Sequence, residues 1–171
     1  MFGLQIKYLS FFFGLISILS FFNIIYSYYF NLYLNLDTYY LSLFLSSILA
    51  ILFYSLKILP KKTSIFQKIL TVFLGYILLP LILSIPFYLS IYNLTFINSF
   101  FEAVSGFTST GFTIFENIKN IDQSLILWRS TTQWIGGLYF LFSIIYLIDI
   151  YDENFKKTLT NFFSFNTSEV F

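Results

Sequence analysis

Four consecutive residues, Thr108, Ser109, Thr110 and Gly111, carry three hydroxyls and a glycine but no charge. Gly111 permits backbone angles that a substituted residue resists, so a chain of this type can aim carbonyl oxygens into a pore. Rings of backbone carbonyls replace the hydration shell of a cation such as potassium. The chemistry open to this stretch is therefore coordination of an ion by oxygen, with no bond made or broken. The same residues also read as an ordinary polar turn between an interfacial helix and a loop. Residue types alone leave both readings open.

A coordinating loop needs an element to hold it, and the preceding residues supply one. From Phe96 to Val104 the chain is mainly apolar, with apolar residues at 96, 97, 100, 101, 104 and 107, the spacing of a helix. Ten to twelve helical residues rise about 15–18 Å, roughly half the hydrocarbon thickness of a bilayer. Such a segment cannot span. Irregular backbone at membrane depth is tolerated only where protein buries it or it lines water, so the pair reads as a re-entrant pore helix followed by a filter loop. A helix that stops at mid-depth also points its negative end at whatever occupies the pore.

The rest of the chain belongs in lipid. It has 171 residues, of which 58% are hydrophobic and 10% charged, with mean hydropathy +0.81; soluble domains carry roughly 25% charged residues. No Cys and no His occur, which removes the usual zinc ligands, a thiolate nucleophile and a Ser-His-Asp triad. An enzyme is not expected, nor is a cofactor. The net charge is +1 with dispersed basic residues, so nucleic acid is not an expected partner; membrane lipid is.

Two charge-poor segments come first: 9–30, and 39–59 with Lys57 near its end, closed by Pro60. Each is long enough to span. Asn23, inside the first, is expected only to face a neighbouring helix. Lys57, Lys61, Lys62 and Lys68 contrast with the 31–38 loop, which has no basic residue. By the positive-inside rule this cluster, and the N-terminus with Lys7, face the cytoplasm. A third span covers 69–92, bent or ended locally by Pro80 and Pro86. After the pore segment and a polar loop, 116–124, Ser124 is placed to cap a last helix running inward from Leu125 to about residue 148. Trp128 and Trp134 suit the outer interface, and Gly136-Gly137 would let the filter loop approach closely. The organisation is a leading helix pair (1–64), one outer-helix/pore-helix/filter/inner-helix unit (65–150) and a cytoplasmic loop or truncated tail (151–171). The fold class is all-α, multi-pass and potassium-channel-like.

FFEAVSGFTSTGFT, followed about twenty residues later by WRSTTQWIGGL, resembles the first pore unit of the Trk/Ktr/HKT superfamily of potassium transporters, and within it the TrkH type. The match is specific over Phe101 to Gly111 and Trp128 to Gly137, and weaker over 1–150. The resemblance implies channel-like potassium uptake across the bacterial inner membrane, through four such units arranged around one pore. The family's filter glycine falls on Gly111 and its carbonyl donors on Thr108, Ser109 and Thr110, so the potassium site is expected at these four residues; Ser109 stands where Thr is commoner. A homodimer and a cytosolic nucleotide-binding regulatory subunit are also implied, with no residue to show where either docks. One unit supplies a quarter of such a ring. The expectation is therefore a piece of a longer transporter whose remaining units complete the pore, the alternative being four copies closing a ring.

Glu102 on the pore helix and Arg129 on the inner helix are ionisable at membrane depth, where such groups are costly and usually paired. Both are expected behind the filter, bracing it, with Gly136 and Gly137 as further support. The competing expectation has Arg129 reaching headgroups and Glu102 meeting backbone amides near the outer surface. For the chain as a whole, the alternative to ion translocation is a non-conducting membrane anchor or assembly protein, or an inert remnant.

Overall fold

The computed structural model describes residues 6–56, 65–116 and 121–166, with side chains described as far as 147 in the last helix. Lys57, Lys61, Lys62 and Lys119 lie outside the described residues, as do the side chains of the charged stretch from Asp149 onward. All regular structure among the described residues is helical. Three helical stretches, Lys7–Tyr29, Leu36–Ser55 and Phe66–Tyr88, are long and apolar enough to cross a membrane. The protein is an all-α membrane protein.

Helices α1 (Ile6–Tyr29) and α2 (Leu36–Ser55) form an antiparallel hairpin. The 24 residues of α1 rise about 36 Å. It ends where Asn31 takes a left-handed φ of 56°. The amides of Asn31 and Leu32 then turn back to the carbonyls of Tyr28 and Ser27, satisfying two orphan acceptors of the last turn. Small hydroxyls cross the hairpin: Ser10 Oγ donates to the Ala50 carbonyl at 2.7 Å and the Ser17 and Ser47 hydroxyls are 2.7 Å apart, while Ser20, Ser27, Ser42 and Ser46 on the same two helices are fully buried. Lipid rewards no burial of apolar side chains, so small groups that allow close approach take the interface. Phe22, Phe44 and Ile51 are turned outward.

Helix α3 (Ile65–Leu83) continues through Pro80 and stops at Leu83; Pro86 lies in the first turn of the short helix α4 (Ile85–Tyr88). Between the two, the Ser84 amide reaches the Pro80 carbonyl at 2.8 Å and its hydroxyl the Leu81 carbonyl at 2.7 Å. The short helix α5 (Phe96–Phe107) and α6 (Gln123–Asn166) complete the order. Residues 151–166, read from sequence as loop or tail, continue α6. Among the described residues α6 is not one of the stretches long and apolar enough to cross a membrane; its first half carries Arg129, Thr131, Thr132 and Gln133.

Two expectations are corrected here. Trp128 does not face outward as an interfacial anchor would but is fully buried, its indole N–H donating to the Leu83 carbonyl at 3.0 Å, where α3 breaks off. Trp134 is exposed. Ser124 does not precede the last helix; it lies in the first turn, behind Asp122, whose carbonyl receives the amides of Leu125 and Ile126.

Candidate functional site: the α5 terminus and the following loop

The twelve residues of α5 begin after Thr95, whose hydroxyl accepts the Asn98 amide at 3.3 Å as an N-cap. The helix is inside out relative to a soluble one. Its buried residues are Ser99, Glu102, Ala103, Ser105, Gly106 and Phe107. Phe96, Ile97 and Phe101, part of the periodic apolar face, are exposed.

At its end the chain reverses through a left-handed residue, Ser109, at φ 57°. The Ser109 amide bonds the Gly106 carbonyl at 2.9 Å and the Thr110 amide the Ser105 carbonyl at 3.1 Å, the paired bonds of a helix C-terminal reversal. No cis peptide occurs among the described residues, and a trans peptide opposes its C=O to its N–H. Because the amides of Ser109 and Thr110 point back at the helix, the carbonyls of Thr108 and Ser109 point away from it. Gly111 is left-handed as well, at φ 80°. All four of Thr108, Ser109, Thr110 and Gly111 are exposed in this chain.

Behind the loop stands a buried polar system. Glu102 is fully buried. Its Oε1 lies 2.9 Å from Arg129 Nη1 and accepts the Thr113 hydroxyl at 3.1 Å, while Oε2 accepts the Ile114 amide at 3.0 Å. Arg129 Nη2 reaches the carbonyls of Gly111 at 3.4 Å and Phe112 at 3.2 Å. The guanidinium thus touches both the carboxylate and the chain leaving the loop. The guanidinium is directed at Glu102 and at the backbone that follows the loop. Gly136 lies against α5: a Cβ there would stand 1.8 Å from the Phe107 carbonyl oxygen. Gly137 has nothing within 4 Å of the corresponding point, so only one of the glycine pair is brought to the site.

Two contributors escaped the residue-by-residue reading. Ser105 Oγ donates to the Phe112 carbonyl at 2.6 Å and lies 3.2 Å from the Thr110 hydroxyl, cross-tying the loop. Thr113 passes the hold of Glu102 on to the Phe115 amide at 3.2 Å. A serine one turn before a helix end was the available signal for the first. Nothing local marked the second. Among the described residues no group of three His, Cys, Asp or Glu side chains could hold a metal ion; the oxygens on offer are carbonyls and hydroxyls.

A half-length helix in a membrane protein is thus followed by a loop whose Thr108 and Ser109 carbonyls face away from it, held from behind by a buried carboxylate–guanidinium pair. The family profile of TrkH, described as a cation transport protein, matches residues 41–160. Among similar proteins, an uncharacterized cation transporter of Methanocaldococcus jannaschii is 33% identical over 79 residues, 46% of this chain and 17% of its own. The Trk system potassium uptake protein TrkI of Halomonas elongata is 32% identical over 80 residues, 47% of this chain and 16% of its own. The Trk system potassium uptake protein TrkG of Escherichia coli is 44% identical over 46 residues, 27% and 10% respectively. The matched part of the chain spans less than a fifth of each of these relatives. No solved structure matches. The chain belongs to the TrkH family.

Proposed function

We propose that this chain supplies one of four filter segments to a pore for potassium uptake, in a plasma membrane with its N-terminus cytoplasmic. Thr108, Ser109 and Thr110 provide the oxygens that replace water around the ion, and Gly111 the backbone freedom to present them. Glu102 and Arg129 hold the loop from behind, and Gly136 admits the end of α5 against α6. The observation that carries this reading is the outward direction of the Thr108 and Ser109 carbonyls, on exposed residues, from a helix that has engaged the opposing amides. The names of TrkI and TrkG, which include potassium uptake, support the choice of ion. The remaining pore units, a partner subunit of the same kind and a cytosolic nucleotide-binding regulator follow from the family resemblance.

The test is potassium-dependent growth, or ion flux, of the complete conducting protein with Gly111→Ser and Gly111→Asp. Both are expected to lose preference for potassium over sodium; normal selectivity in both overturns the reading. A second reading rests on the single filter segment found here: a non-conducting anchor or a remnant. Flux absent from this chain but restored when further units are supplied supports the pore; flux absent under every condition supports the anchor or remnant.

A further inference from the structure

Asn35 occupies the position before α2, where its side chain would ordinarily accept one of the helix's own first amides. It makes no such bond. Instead this residue, 1% exposed, spans three parts of the chain. Its Nδ2 donates to Asp122 Oδ2 at 3.0 Å, and its Oδ1 accepts the Ile91 amide at 3.3 Å, just beyond the end of α4. Asp122 in turn accepts the Ser124 hydroxyl on the same oxygen and offers its amide to the Tyr92 hydroxyl at 2.8 Å. The buried Tyr39 hydroxyl lies 2.9 Å from Ser124 Oγ, and Asn23 Nδ2 donates to the Ser124 carbonyl at 3.3 Å. The leading hairpin is thereby fastened to the first turn of α6 by a chain of polar groups, of which Asn35, Tyr39, Asn23 and Ser124 are buried and Asp122 half-buried.

Asp122 precedes that turn, and Arg129 follows it by seven residues, about 10 Å along a rigid helix. A forgone local cap in favour of a long-range contact is a departure from local consistency of the kind found at functional positions. We infer that Asn35, through Asp122, is a positioning residue for the filter: the clasp sets the depth and rotation of α6, and so the reach of Arg129 to Glu102 and to the Gly111 carbonyl. The leading helices then act on ion selection without touching the ion. This rests on the proposed reading of 108–111 as a cation filter.

The experiment compares Asn35→Asp, Asp122→Asn, the double exchange and Gly111→Asp with the unaltered complete conducting protein, measuring membrane-inserted amount and potassium-over-sodium selectivity. Asn35→Asp sets two carboxylates together; Asp122→Asn leaves two amides. Each single change is expected to lower the selectivity ratio on the order of two- to thirtyfold, the range of energetic coupling between linked sites. The double exchange re-forms an amide–carboxylate pair with donor and acceptor reversed and should restore the ratio. Because the ratio does not depend on the amount inserted, a merely structural role would leave it unmoved. Unchanged selectivity in the single variants, or a double exchange that stays impaired or fails to insert, overturns the inference. If the unaltered protein carries no potassium, or Gly111→Asp leaves its selectivity normal, the filter reading itself falls and the inference with it.

Discussion

At the scale of single residues, the Glu102–Arg129 pair is where removal should cost most. Taking away one partner of a buried ion pair leaves an uncompensated charge, at a cost of about 3–5 kcal/mol. Arg129→Ala is expected to lower the thermal unfolding temperature in detergent and to loosen potassium selectivity, because the guanidinium also holds the Gly111 and Phe112 carbonyls. Glu102→Gln keeps an acceptor for the Ile114 amide and should be the milder of the two; the same melting measurement ranks them. Gly111 makes a different demand. Nothing would collide with a Cβ there, yet its φ is 80°. Gly111→Ala therefore meets backbone strain of roughly 1–2 kcal/mol, with the loss appearing in ion selectivity more than in the amount of folded protein.

Among the elements, α5 and α6 make the sharpest contrast. Gly136→Ala drives a methyl into the Phe107 carbonyl, backbone against backbone, where no side chain can swing aside; Gly137→Ala enters open space. The first should unseat the pore helix and abolish uptake, while the second leaves folding and uptake near normal, as membrane expression and flux would report. A half-length helix ending at a Ser/Thr/Gly loop was legible in the sequence, since twelve residues are too few to span and the apolar spacing is regular. Which face it buries was not. The periodic apolar spacing marks a helix but not its buried face: Glu102 and Ser99 go inward while Ile97 and Phe101 go out, because outside this helix the surroundings need not be water. The misplacement of Trp128 has the same origin: an interfacial preference is an average, and the Leu83 carbonyl at the α3 break offered its indole N–H a buried partner.

For the whole molecule, the chain contains no cysteine, so one introduced cysteine reports its own side of the membrane. Tyr33→Cys, in the exposed turn between α1 and α2, should react with a membrane-impermeant thiol reagent from outside intact cells, and Lys7→Cys only after the membrane is opened. The reverse pattern would invert the proposed orientation. Membrane residence, the helix order, the half-length helix and the kinship carried by Phe101 to Gly111 and Trp128 to Gly137 could all be read along the chain, because each depends on composition or on spacing within a few turns. The fastening of Asn35 to Asp122 and the unequal fates of Gly136 and Gly137 could not. These contacts join residues tens of positions apart, and a one-dimensional pattern holds no record of which polar groups meet once lipid has removed water as their alternative partner.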